Sequence, residues 1–238
     1  MRDFDDLIYY RGELSPGSVI ELSREESKHL HVLRKKKDTA RIFLTNGEGI
    51  LARAKLIPGK STTATLEITE TELYQKPSPV DIFLAAAVLK GNRYDWLLEK
   101  STELGISAFI PLHTERVIKG KKEKEDRWEN KILAAMKQSK QLYKPELFPL
   151  TDFFDIKASF PDIHWICFHE KSETIFSPLT FTPGNNKIGI LIGPEGGFTE
   201  KESAYFDSYR LPGVQRLRAE TAAVTAINLV QACYLWNN

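Results

Sequence analysis

The sequence predicts an α/β protein in two parts, a small β-barrel followed by a larger domain around a mainly parallel sheet. Three observations predict it. Up to residue 75 the apolar residues fall in short alternating runs separated by Asn46-Gly47 and Pro58-Gly59, the pattern of strands joined by turns. Beyond Lys76-Pro77-Ser78-Pro79 the period changes, and near-continuous apolar runs such as Asp81–Leu89 alternate with amphipathic stretches. Strands covered on both faces by helices read this way. The prolines at the change cannot continue a ladder and force extended backbone before them. The boundary is therefore drawn there, with residues 1–75 as the barrel and 76–238 as the α/β domain.

In the first part, strands are expected at Ser18–Leu22, Ala40–Thr45, Ile50–Ile57 and Thr63–Thr69, all rich in β-branched and aliphatic residues. One helix interrupts them. Ser23 caps it, Glu26 stands three residues on as in a capping box, and Leu30 and Leu33 follow. A barrel of about 70 residues fits this pattern. In the second part, Asp81–Leu89 is a buried strand and Tyr94 to Leu104 a helix stopped by Gly105. Ala108–Leu112 is a strand, and Glu125–Leu142 a helix that carries four of the basic residues. Trp165–Phe168 and Ile188–Ile192 are further strands. Thr199, with Glu202 three residues on, caps the next helix. The last helix, Glu220–Trp236, has almost no polar face, so it belongs in a core or against a second subunit.

Composition narrows the function. With 13 Phe, 8 Tyr and 4 Trp in 238 residues, the chain has ample apolar surface to offset ordering entropy, and disorder is excluded. No run approaches the ~20 apolar residues of a membrane span, so no membrane partner is expected. Asp3, Asp5 and Asp6 stand where a secretory signal needs basic and apolar residues. Two distant cysteines, Cys167 and Cys233, make no disulfide framework. A cytoplasmic protein is expected. The 33 basic and 32 acidic residues give a net charge of +1, which on its face argues against nucleic acid. The distribution says otherwise. Residues 24–41 hold seven basic residues against three acidic, and 116–144 hold ten against four, while from 145 onward there are seven against eleven. Such local basic clusters raise anion concentration at a surface whatever the total, although either run alone also reads as a solvated face.

Several chemistries are excluded by their missing motifs: there is no GxGxxG, GxxxxGK, HExxH, CxxC or GxSxG. No pair among His29, His31, His113, His164 and His169 has helical metal-ligand spacing, so no metal is expected. Three segments remain. Ile188 to Thr199 runs from a buried strand through Gly193-Pro194-Glu195-Gly196-Gly197 into a capped helix. Ligands of open α/β sheets bind just past strand ends, and Glu195 in this turn disfavours a polyanion and suits a neutral or cationic ligand. A plain strand-to-helix turn reads the same. Arg216-Leu217-Arg218-Ala219-Glu220-Thr221-Ala222 places two alternating arginines before a buried helix, with Glu220 at its first turn where the macrodipole favours an acid. Glu99 and Glu103 share one helix face, a pattern that fits structural support.

Together these segments resemble one family, the RsmE-type 16S rRNA uracil-N3 methyltransferases of the SPOUT superfamily. The matching stretches are HLHVLR (29–34), LLEKSTELGISAFIPLHTERV (97–117), KQSK (137–140), LIGPEGGFTEKE (191–202) and RLRAETA (216–222). The resemblance implies a PUA-like β-barrel that helps dock RNA and a SPOUT-type α/β domain whose C-terminal backbone forms a trefoil knot. It implies S-adenosylmethionine as cofactor, a homodimer, and 16S rRNA of the small ribosomal subunit as substrate. Carried over by position, the cofactor contacts are Leu191, Ile192, Gly193, Pro194, Glu195, Gly196, Gly197, Phe198, Leu217, Arg218, Thr221 and Ala222. Phe168 and His169 supply a third wall. Arg218 and Glu220 are the catalytic candidates, Arg218 to stabilise charge on the base and Glu220 to orient it or cap its helix. Arg34, Lys35, Lys36, Lys37, Arg116 and Lys140 are the RNA contacts. The chain departs from the family in having Lys140 and Gln141 where an arginine commonly follows Gln-Ser, Ala219 where threonine is usual, and Pro212-Gly213 for leucine-glycine. Two other readings stand beside it: a ribose 2′-O-methyltransferase of the same superfamily, and an RNA-binding protein without activity. A nicotinamide-dependent oxidoreductase fails on the missing dinucleotide fingerprint.

Overall fold

The computed structural model describes residues 6–36, 42–59, 62–116, 125–182, 185–213 and 216–236. The chain forms two compact units, Met1–Pro77 with Leu133–Lys144, and Ser78–Ile132 with Pro145–Asn238.

The first unit contains β1 (Ile8–Tyr9), β2 (Val19–Glu21), α1 (Arg24–Lys36), β3 (Ile42–Thr45), β4 (Ile50–Ile57) and β5 (Thr65–Leu73). Its sheet runs in the order β1-β3-β4-β5-β2, a barrel-like arrangement in which only β1 and β3 pair in parallel. Alternation along β4 and β5 turns Ala52, Ala54, Leu66 and Ile68 inward, onto Ile20, Ile42, Leu44 and Leu30 of α1. Ser23 Oγ accepts the Glu26 N–H at 3.1 Å, so the expected cap is present. The Glu26 carboxylate accepts a hydrogen bond from Lys137 at 2.5 Å. Residues 133–144 return to this unit through Gly49 N–H to Leu142 O and Lys144 N–H to Gly47 O, both 2.8 Å. Leu142 is buried there with Leu7 and Leu51.

The second unit contains β6 (Asp81–Ala87), α2 (Arg93–Glu103), β7 (Ala108–His113) and α3 (Glu125–Gln138), the last divided between the units at residue 133. It continues with β8 (Glu146–Leu147), β9 (Thr151–Asp152), a 3-10 turn at Phe153–Asp155, α4 (Ile156–Ser159) and β10 (His164–Phe168). The chain then forms β11 (Lys187–Ile192), α5 (Glu200–Ser203), β12 (Asp207–Tyr209) and α6 (Ala219–Trp236). The sheet order is β12-β10-β11-β6-β7-β8, with β9 also beside β7, and every pair is parallel.

Period-2 geometry explains why these strands read as unbroken apolar runs. Ile166, Phe168, Ile188, Ile190 and Ile192 face one side and pack with Leu97 and Leu98 of α2 and Ala223, Ala226 and Ile227 of α6. Trp165, Cys167 and Leu191 face the other side, under Phe153, Ile156, Phe198 and Phe206. Both faces are covered, as parallel sheets require. Helix α2 stops at Glu103, and Gly105 takes the expected positive φ, +75°. Helix α3 ends at Gln138, short of the expected Leu142. There Lys140 N–H bonds to Lys137 O and Gln141 N–H to Met136 O, a Schellman closure with Lys140 at φ +58°. The two or three residues of β1, β8, β9 and β12 are too short to show a period, and none was expected.

Candidate active site

Three strands of the second unit end side by side, β10 at Phe168, β11 at Ile192 and β12 at Tyr209. Because they are parallel, the loops that leave them start from one edge of the sheet, the edge where open α/β sheets bind ligands. A cavity of about 390 Å³ lies there, within the range of small-molecule sites. Its walls are Phe168–Glu170 at the end of β10, the glycine-rich loop after β11, and Arg210, Leu211, Arg216–Ala219 and Ala222 on the way into α6. Arg93, the first residue of α2, completes it.

The glycine-rich loop is built by local rules. Pro194 O accepts the Gly197 N–H at 2.8 Å, closing a four-residue turn. Gly197 sits at φ +67°, where any side chain is strained. Immediately after it, Thr199 and Glu202 form the capping box expected from their spacing. Thr199 Oγ1 accepts the Glu202 N–H at 3.2 Å and Glu202 Oε2 accepts the Thr199 N–H at 2.8 Å. The helix they cap, α5, is only four residues long. Glu202 is fully buried, and its other oxygen accepts the Glu115 N–H at 2.9 Å.

Charge in the cavity is mixed. Arg93, Arg210, Arg216 and Arg218 line it together with Glu170 and Glu195. Glu195 pairs with Arg93 at 3.2 Å, and Arg216 Nε stands 3.5 Å from Glu170. The side chains of Arg210 and Arg218 make no hydrogen bond or ion pair among the described residues, so two guanidinium groups face the cavity uncommitted. Burial lowers the His169 imidazole below its ordinary value, which keeps it neutral at neutral pH.

Of the residues singled out by sequence, Ile192, Gly193, Pro194, Glu195, Gly197, Phe198, Leu217, Arg218 and Ala222 line this cavity. Leu191 does not, because alternation turns it into the core on the opposite face. Gly196 points toward the Arg116 side chain. Thr221 is exposed on α6, where its carbonyl accepts the Thr225 hydroxyl. Glu220 is buried in the first turn of α6 with one carboxylate oxygen lacking a partner, and no hydrogen bond joins it to Arg218 among the described residues. Arg116 donates from Nη1 to Gly196 O at 2.7 Å and Phe198 O at 3.2 Å. Lys140 belongs to the first unit. The side chains of Arg34, Lys35 and Lys36, and all of Lys37, lie outside the described residues.

Sequence reasoning missed Arg93, Glu170, Arg210 and Leu211, and did not rank Arg216 as a contact. The available signal was position: Arg93 and Glu170 come shortly after buried parallel strands, where the sheet edge opens. Arg210 follows β12, whose sequence Asp207-Ser208-Tyr209 carries no strand signal.

Known proteins resemble this chain along most of its length. A family model described as an RNA methyltransferase domain matches residues 76–231, and an RNA methyltransferase PUA domain matches residues 22–69. A Rickettsia conorii protein named ribosomal RNA small subunit methyltransferase E is 32% identical over 236 residues, covering 94% of each chain. The crystal structure of a ribosomal RNA small subunit methyltransferase E from Neisseria gonorrhoeae bound to S-adenosyl methionine superposes with a TM-score of 0.84. It is 28% identical, and 95% of this chain and 96% of that chain are covered. A putative methyltransferase from Legionella pneumophila, in complex with the same cofactor, gives 0.83 at 30% identity over 95% and 96% of the two chains.

Proposed function

This chain belongs to the RNA methyltransferase family that includes ribosomal RNA small subunit methyltransferase E, and from that premise we propose that it methylates N3 of a uridine in 16S rRNA, with S-adenosylmethionine as donor. The observation that carries this reading is the cavity at the carboxyl edge of the parallel sheet, where the two motif loops and the end of β10 converge. The residues present fit the cofactor. Phe168, Ile192, Leu217 and Ala222 offer apolar walls for a purine, the open glycine backbone allows close approach, and Glu170 and Glu195 supply carboxylates for a sulfonium and an amino group. The uncommitted Arg210 and Arg218 supply partners for a carboxylate and for the substrate.

When bound, the cofactor supplies an electrophilic methyl group. The work left to the protein is orientation and charge. Uridine N3 is a weak acid and becomes a nucleophile only as its proton passes to water, which spreads negative charge onto the flanking carbonyl oxygens. The Arg218 guanidinium, held at the cavity without a competing carboxylate, stabilises that charge. Glu220 acts on the N-terminus of α6, where an acid complements the macrodipole. The walls would fix the base beside the bound cofactor, and such positioning would supply much of the remaining rate. A stacked, paired base cannot enter such a cavity, so the uridine is presented unpaired or flipped.

On the same reading the C-terminal backbone is knotted in the SPOUT manner, and the enzyme works as a homodimer in the cytoplasm. Support for the dimer comes from α6, which leaves Val224, Leu229 and Ala232 only half-buried. No helix among the described residues is long and apolar enough to cross a membrane. The first unit docks RNA through Arg34–Lys37, and Lys140 adds a second contact.

Two measurements test this. Calorimetry with S-adenosylmethionine is expected to show one site per chain, and mass mapping of 16S rRNA from cells lacking the protein is expected to show loss of one N3-methyluridine. An intact mark in those cells rejects the specific assignment. Neutralising Lys35, Lys36 and Lys37 together is expected to reduce the slope of log affinity against log salt by about two to three, since each phosphate contact contributes about 0.7–0.9. An unchanged slope removes these lysines from the RNA interface.

A further inference from the structure

We propose that Arg116 is a positioning residue for the cofactor: it sets the shape of the glycine-rich loop from outside the cavity. The inference rests on the reading that this cavity takes S-adenosylmethionine. Arg116 is not among the residues that line the cavity. It is an exposed residue, and its stem lies over Gly196, where a Cβ would stand 3.5 Å from Arg116 Cδ.

What it does touch is the backbone of the loop. A peptide unit is planar, with its C=O and N–H on opposite sides. In the unit joining Gly196 to Gly197, the carbonyl accepts from Arg116 Nη1 at 2.7 Å and the N–H donates to Pro194 O at 2.8 Å. In the unit joining Phe198 to Thr199, the carbonyl accepts from the same nitrogen at 3.2 Å and the N–H donates to Glu202 Oε2 at 2.8 Å. Both planes are therefore fixed at both ends. Between them lie Gly197 and Phe198, which do line the cavity. The residue before Arg116 is tied to the same frame, because the Glu115 N–H donates to Glu202 Oε1 at 2.9 Å. Glu202 is fully buried, so this anchor is rigid.

A loop held in its binding shape before the ligand arrives loses less freedom on binding. Arg116 thus raises cofactor affinity without contacting the cofactor, and an RNA-phosphate role is not needed to explain it. The experiment is calorimetric titration of the full chain with S-adenosylmethionine in the absence of RNA. Arg116→Ala is expected to weaken binding about tenfold or more, with a thermal midpoint close to that of the unaltered protein. Arg116→Met, which keeps the stem and removes the donors, is expected to show the same loss and serves if the alanine variant does not fold. Arg116→Lys, whose ammonium can reach two carbonyls from one nitrogen, is expected to recover most of the affinity. In steady-state assays KM for S-adenosylmethionine rises while kcat at saturation stays near its original value. The proposal is overturned if cofactor affinity is unchanged in the alanine and methionine variants, and a fall of about one in the salt slope of RNA binding would then mark a phosphate contact instead. Failure of the unaltered protein to bind S-adenosylmethionine instead rejects the reading of the cavity itself.

Discussion

Arg218→Ala is expected to slow methyl transfer by a factor of about 100–1,000 while leaving S-adenosylmethionine binding measurable. Removing one donor that stabilises developing negative charge in a site of this kind costs about that much. The size of the effect depends on the guanidinium being available, and here it is: Arg218 lines the cavity, and no carboxylate engages it among the described residues. Arg93 and Arg216, by contrast, are held by Glu195 and Glu170. The loss should be specific to chemistry because the backbone at this position is fixed independently of the side chain. Arg218 O accepts the Ala222 N–H at 2.8 Å, the first turn of α6, and that helix is anchored through buried Ala223, Ala226 and Ile227. Arg218→Lys should recover only part of the rate, since a point charge cannot offer the planar fork that bridges two acceptors. The check is turnover with labelled cofactor on 16S rRNA beside calorimetry on the same samples. Undiminished turnover in the alanine variant removes Arg218 from the mechanism.

The elements that could be read in advance are those in which one local rule decides the outcome. The run Ile188–Ile192 is apolar at every non-glycine position, and it is a strand covered on both faces. Thr199 and Glu202 have capping-box spacing, and both reciprocal bonds are present. What escaped depends on partners far along the chain. Glu202 reads as a cap, yet its bond to Glu115 crosses 87 residues and ties a second loop to the site. Arg116 reads as one basic residue in a basic stretch, while its actual acceptors are two carbonyls 80 and 82 residues away. Arg210 was invisible because β12 is three residues held in place by pairing with β10, with no periodicity of its own. The balance of 33 basic and 32 acidic residues was least informative of all, since four of the arginines gather at one cavity.

The largest stability effect is expected at a position with no chemistry. Gly189 lies in the middle of β11, paired with Trp165 of β10 on one side and Phe83 of β6 on the other. A Cβ added to Gly189 would stand 2.0 Å from the Trp165 ring, a separation no non-bonded carbon pair tolerates. Neither side can yield cheaply. The strand is hydrogen-bonded along both edges, and the indole is buried, with its Nε1 donating to Phe160 O at 3.3 Å. Gly189→Ala should therefore cost about 3 kcal/mol or more, the upper range for overpacking a core. For a chain of this size that corresponds to a fall in Tm of about 6–12 °C. Cofactor affinity should fall with it, because the same strand delivers Ile192 and Gly193 to the cavity. A double-mutant cycle with Trp165→Ala separates this clash from a general intolerance of strand substitutions. With the ring gone the methyl group has space, so Gly189→Ala should then cost little, giving a coupling energy close to the whole 3 kcal/mol, approximately, that the single change costs. An equal penalty in both backgrounds would show that the close approach of Trp165 is not what requires glycine at this position.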